Sequence, residues 1–141
     1  VLVEPTTYAG ALEAFGRAGG QLVAVEADSA GIRPERLRHH LERGPAALLY
    51  LVPNVHNPTG GELAVGRRRA LLAIADEHGV PVVEDTVLDD LRYAGPLRPT
   101  LQELSPGRAI GVGSFSKLAW AGNALTFDAA IAYALEEPPR R

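Results

Sequence analysis

Apolar positions along this chain follow two alternating patterns. Short, nearly unbroken apolar runs occur at VLVE (1–4), QLVAVEA (21–27), AALLYLV (46–52), VPVVED (80–85) and AIGVGSF (109–115). Runs of this kind, bounded by turn formers, predict strands, and the unbroken ones predict strands buried on both faces. Between them the spacing is helical. TTYAGALEAFGRAG (6–19) carries Leu12, Phe15 and Ala18 on one side, and Gly19-Gly20 ends it. A second helix is expected from Pro34 to Glu42, with proline at its first position and Leu37 and Leu41 on one face. A third runs from Val65 to His78 through Leu71, Leu72, Ile74 and Ala75, and Gly79 stops it.

Strands separated by helices predict an α/β fold, a mostly parallel sheet flanked by helices with right-handed crossovers. Ligands of such sheets bind beyond the carboxyl ends of the strands. Three loops begin where an apolar run ends: PNVHNPTG (53–60), EDTVLDD (84–90) and GSFSK (113–117). Topology therefore brings them together.

Composition narrows the setting. The 141 residues are 46% hydrophobic, enough for one core. A net charge of -3, with the short run Arg67–Arg69 as its densest basic stretch, predicts no nucleic-acid contact from this segment. No apolar stretch has membrane-spanning length and no signal peptide is visible, so the expectation is a cytoplasmic chain with no membrane partner. Without cysteine there is no thiolate, and His39-His40 has no further ligand at metal spacing, so no metal site is expected. There is no methionine, even at position 1, and the chain opens on a strand in progress; it is expected to be a segment of something longer.

The chemistry sits at the three strand ends. Lys117 is the only lysine and offers an amine that can form a Schiff base with an aldehyde. Asp85 can pair with a protonated ring nitrogen, and Asn57 can donate an amide N–H to a phenolate oxygen. Ser114 and Ser116 offer hydroxyls to a phosphate. Pyridoxal 5′-phosphate requires all of these together. Simpler readings stand beside each: Asp85 as a helix N-cap, Asn57 and Thr59 as turn formers, Tyr8 as core, and Lys117 as a surface charge. His56, a loop histidine, is read as solvated, and Glu84, Asp89 and Asp90 as solvated or as supporting residues around the site.

NPTG, VVED and GSFSK, in this order and spacing, resemble the fold-type-I enzymes of the aminotransferase class I/II superfamily. The resemblance runs from VEPTTYAG at Val3 to about Gly122. It implies part of the large cofactor domain of such an enzyme and a homodimeric parent that moves an amino group between an amino acid and a 2-oxo acid. It further implies that Lys117 is the catalytic Schiff-base lysine, Ser114 a phosphate ligand, Asp85 the partner of the ring nitrogen, Asn57 the partner of the phenolate oxygen, and Tyr8 an aromatic packed on the ring. VVEDTVLDDLRY and GSFSKLAWAG are most similar to the aminotransferase-like domains of GntR/MocR-type bacterial regulators, which implies an alternative role as a ligand-sensing domain. In those proteins a DNA-binding domain absent from this segment precedes the cofactor domain. Leu88 stands where many relatives carry a tyrosine, and Ala124 where an arginine for the phosphate is expected. The expected boundaries are a partial large domain over 1–122 and a divergent, frameshifted or truncated tail over 123–141. A non-functional gene fragment is the remaining alternative, and the segment alone is expected to be inactive.

Overall fold

A computed structural model of the chain describes residues 1–91 and 95–114. In chain order the elements are β1 (Leu2–Val3), α1 (Ala9–Arg17), β2 (Val23–Ala24), β3 (Ala27–Asp28), β4 (Gly31–Ile32) and α2 (Pro34–Arg43). There follow β5 (Leu49–Leu51), α3 (Val65–Glu77), β6 (Val82–Asp85), a 3-10 turn (Asp89–Leu91), α4 (Leu101–Leu104) and β7 (Ala109–Val112). The main sheet has the order β2-β1-β5-β6-β7, and every pairing in it is parallel.

This order explains where the helices go. The chain steps one way from β1 to β2, then back across β1 to β5 and onward to β6 and β7. With a single crossover hand, reversing direction moves the connecting helix to the opposite face. Leu12 and Phe15 of α1 accordingly pack with Val3, Tyr50 and Val52 on one face. On the other, Leu2, Leu49, Leu51 and Val82 meet Leu37 and Leu41 of α2, Leu71, Leu72 and Ile74 of α3, and Leu101 of α4. Alternation along β5 thus feeds two cores, as the unbroken apolar run anticipates.

Three elements depart from the expected pattern. QLVAVEA does not continue as one strand: β2 ends at Ala24, and β3 pairs antiparallel with β4 as a separate hairpin. Asp28 turns it by accepting the N–H of Ala30, and Gly31 takes φ +96°. The short helix α4 is set by a capping box between Thr100 and Glu103. β7 was expected to be buried, yet Ile110 and Val112 are 59% and 44% exposed. Gly111 faces α4, near Gln102, so Ile110 and Val112 point to the opposite face, where they remain open. No helix among the described residues is long and apolar enough to cross a membrane.

The middle arginine of the Arg67–Arg69 run is not a surface charge. Arg68 is fully buried and donates to the carbonyls of Leu63, Pro99 and Pro53 and to Oδ1 of Asn54, at 2.7, 2.9, 2.9 and 2.5 Å. These acceptors offset the loss of hydration that a buried guanidinium incurs. They also tie both ends of the β5–α3 loop to the approach to α4. Asn54 extends the tie by donating to Asp89 Oδ2 at 2.8 Å. Arg68→Met should orphan these acceptors and cost about 3 kcal/mol or more, at ~1–3 kcal/mol per unsatisfied buried group. A lower urea midpoint at unchanged slope would report this, with Arg68→Lys in between.

Candidate functional site

Alternation in β6 separates two neighbouring carboxylates. Glu84, fully buried on the α4 side, accepts the N–H groups of Leu101 at 2.8 Å and Gln102 at 3.3 Å. Burial pushes its pKa up, while those N–H groups pull against the rise. Asp85 points to the α1 side. Val87 N–H donates to its Oδ1 at 2.9 Å, and the Tyr50 hydroxyl donates to its Oδ2 at 2.6 Å. Tyr50 can reach it because it pairs with Val83, two residues before Asp85 and on the same face. Burial first, and then the hydrogen bond to Asp85, push the Tyr50 pKa far upward, so the phenol stays a neutral donor. Asp85 does not cap a helix, since the next helical turn begins at Asp89.

Beyond these strand ends lies a cavity of about 310 Å³ lined by Asp85, Asn57, Tyr8 and Ser114, with Val52, Val87 and Leu88 between them. Tyr8 is 49% exposed, so it is not simple core. Its ring lies across Gly10, where an added Cβ would fall 2.6 Å from the ring. The helix α1 therefore tolerates the ring in this place only because position 10 lacks a side chain. Four of the expected site residues thus share one cavity. Ser116 and Lys117 lie outside the described residues, as does the tail over 123–141.

Asn57 is carried by a tightly held loop. Val55 adopts φ 41°, a conformation that costs a β-branched residue energy. His56 donates its N–H to the Gly61 carbonyl at 2.9 Å and accepts from Gly60 N–H at 2.6 Å. Its ring is not solvated, in contrast to the expectation from sequence. Nε2 lies 3.3 Å from Glu4 Oε2, and Nδ1 lies 2.8 Å from Thr59 Oγ1. The same Glu4 oxygen accepts Val52 N–H at 2.9 Å. His56 and Glu4 line a second cavity, also about 310 Å³, across the loop from the first, and Val52 borders both. The loop is a wall with His56 on one side and Asn57 on the other.

Of its two readings from sequence, Asp89 matches the supporting one and not the solvated one. It is buried, one oxygen takes the Asn54 amide, and Oδ1 has no hydrogen-bond partner among the described residues. Burial raises its pKa. Asp90 is exposed as expected. Tyr50 and Glu4 were missed as site residues from sequence. A tyrosine inside an otherwise aliphatic strand was the available signal for Tyr50, since its buried hydroxyl needs a partner. The acidic end of VLVE was the signal for Glu4.

The parallel sheet, with these loops beyond its carboxyl ends, has the fold of part of the large domain of fold-type-I aminotransferases. The family model for aminotransferase class I and II matches residues 1–136, and the chain belongs to that family. A 2-aminoadipate transaminase of Thermus thermophilus is 36% identical over 142 residues, which cover 97% of this chain and 36% of that protein. The solved structure of LysN, the alpha-aminoadipate aminotransferase of Thermus thermophilus complexed with N-(5′-phosphopyridoxyl)-L-leucine, matches with a TM-score of 0.77 and 36% identity. The match covers 83% of this chain and 31% of that one. The HTH-type pyridoxine biosynthesis transcriptional regulator PdxR of Corynebacterium glutamicum is 35% identical over 100 residues, 71% of this chain and 21% of that protein. The chain spans about a third or less of the length of these relatives. Aminotransferases and HTH-type regulators both stand among them.

The Glu4 hydrogen bond, opposed by burial, raises the His56 pKa in the folded chain. The stabilisation this gives is fully present below the unfolded value of about 6.5 and is lost as pH rises through the folded value. His56→Gln should remove that slope. Thermal midpoints between about pH 6 and 9 measure it, and equal slopes in the two proteins would refute the pairing.

Proposed function

We propose that the cavity at Asp85 holds pyridoxal 5′-phosphate and that the intact protein transfers an amino group between an amino acid and a 2-oxo acid. The observation that carries this reading is the convergence of Asp85, Asn57, Tyr8 and Ser114 on one cavity at the strand ends. The donor set fits the group. A carboxylate already holding two donors keeps lone pairs for a protonated ring nitrogen. The Asn57 amide suits a phenolate oxygen, the half-exposed Tyr8 ring suits a flat aromatic face, and Ser114 suits a phosphate oxygen. The cavity volume is at the lower end of the ~300–1,000 Å³ typical of small-molecule sites.

When bound, the cofactor supplies an electron sink for charge developed at the substrate's α carbon. Asp85 holds a proton at the ring nitrogen, and Asn57 orients the ring through its oxygen. Lys117, three residues beyond Ser114, supplies the amine that holds the cofactor and carries the proton at the α carbon. Ser116 joins Ser114 at the phosphate. The functional unit is a homodimer, with a domain over 1–122 contributing these loops.

A second reading is favoured by Leu88, an apolar side chain on the cavity wall, and by the similarity to a transcriptional regulator. In it the same pocket binds the cofactor, and the output is DNA occupancy through a separate domain. Coding sequence ahead of Val1 that specifies a winged helix would favour the regulator.

The full-length protein incubated with pyridoxal 5′-phosphate should develop a visible absorbance band. Borohydride should then fix the cofactor on Lys117, and attachment at any other residue would end the assignment. Gly10→Ala gives a separate check. Alanine suits a helix better than glycine, so stability should stay within about 1 kcal/mol of wild type. The displaced Tyr8 ring should nevertheless weaken cofactor binding severalfold in equilibrium dialysis.

A further inference from the structure

We propose that Tyr50 is a positioning residue for the Asp85 carboxylate, and through it for the ring nitrogen of the bound cofactor; this rests on the cofactor reading above. The hydroxyl–carboxylate distance of 2.6 Å is that of a strong, charge-assisted hydrogen bond. Tyr50 comes from β5 and Asp85 from the adjacent β6, so the bond fixes the carboxylate relative to the sheet itself. The phenol cannot easily turn away, because its buried ring packs edge-on against Phe15 with centroids 5.4 Å apart at 71°. Val87 N–H holds the other oxygen from the loop side. Two donors from different elements therefore set the plane of the carboxylate and leave its remaining lone pairs to the cavity.

A buried hydroxyl needs an acceptor, and a backbone carbonyl would satisfy it equally well. Here the acceptor is the carboxylate that lines the cavity. Pairing these two groups consumes one lone pair of Asp85 and adds a neutral donor at the back of the site. A purely structural tyrosine would affect folding and leave the grip on the ring nitrogen untouched. A positioning tyrosine acts only through Asp85, and that difference is measurable.

Tyr50→Phe keeps the ring on Phe15 and removes one oxygen. In the full-length protein the dissociation constant for pyridoxal 5′-phosphate, measured by equilibrium dialysis, should rise about 3- to 10-fold. In an Asp85→Ala background the same substitution should have no effect, because its only route is gone. With 1-deazapyridoxal 5′-phosphate, which lacks the ring nitrogen, Tyr50→Phe should also change nothing. Equal losses in both backgrounds, or with both ligands, would overturn the proposal and leave Tyr50 as core. If Asp85→Ala weakens binding and Tyr50→Phe does not, the positioning role fails while the cofactor reading stands. If neither Asp85→Ala nor Lys117→Ala alters binding, the cofactor reading itself fails. Should Tyr50→Phe not fold, 3-fluorotyrosine in place of Tyr50, a stronger donor of the same shape, should bind the cofactor more tightly, and unchanged affinity would overturn the proposal.

Discussion

All strands of the main sheet point the same way, so every loop leaving a carboxyl end leaves on one side. This shared direction sets the placement of the site. It brings Glu4, the loop carrying Asn57, Asp85 and Ser114 to a common edge, although 110 residue positions separate the first from the last. Direction alone does not give geometry. The buried Arg68 guanidinium supplies that, holding Pro53, Asn54, Leu63 and Pro99 in one network and linking the β5–α3 loop to the segment after β6. A surface ion pair would contribute little to such precision. A buried fork with each acceptor within hydrogen-bond range holds the loops in a defined place.

Two pairs of sequence neighbours are then sent to opposite jobs. Glu84 and Asp85 part by the alternation of a strand, one toward α4 and the other toward the cavity. His56 and Asn57 part across a loop wall, one toward Glu4 and the other toward the cavity. In each pair the first residue satisfies backbone or side-chain groups outside the cavity at Asp85, and the second faces that cavity. Tyr50 adds a layer behind Asp85, bringing the aromatic core of the α1 face into contact with the site.

Much of this was legible in the sequence. The α/β order, the three long helices and the convergence of three loops follow from apolar periodicity and the handedness of crossovers. Asn57, Asp85 and Ser114 fall together as those loops predict, and Tyr8, which only the family resemblance implied, lines the same cavity. What was not legible depends on tertiary partners. Nothing local marks Arg68 as buried, Arg67 as half-buried against Asp28 and Arg69 as exposed, because only the packing of α3 decides which arginine turns inward. His56 looked solvated because its partner Glu4 lies 52 positions away. The β3–β4 hairpin was hidden by its apolar flank, and α4 by its length, although its Thr-x-x-Glu signature was present. Ile110 and Val112 read as buried because their sequence is apolar, while their exposure is set by what covers that face.

The central claim is that the Asp85 carboxylate meets the ring nitrogen of a pyridoxal phosphate. The most direct measurement is the nitrogen-15 chemical shift of ring-labelled pyridoxal 5′-phosphate bound to the full-length protein. The account predicts a protonated, pyridinium-like shift in the wild type that moves to the neutral-pyridine range in Asp85→Ala. The same shift in both proteins would contradict it.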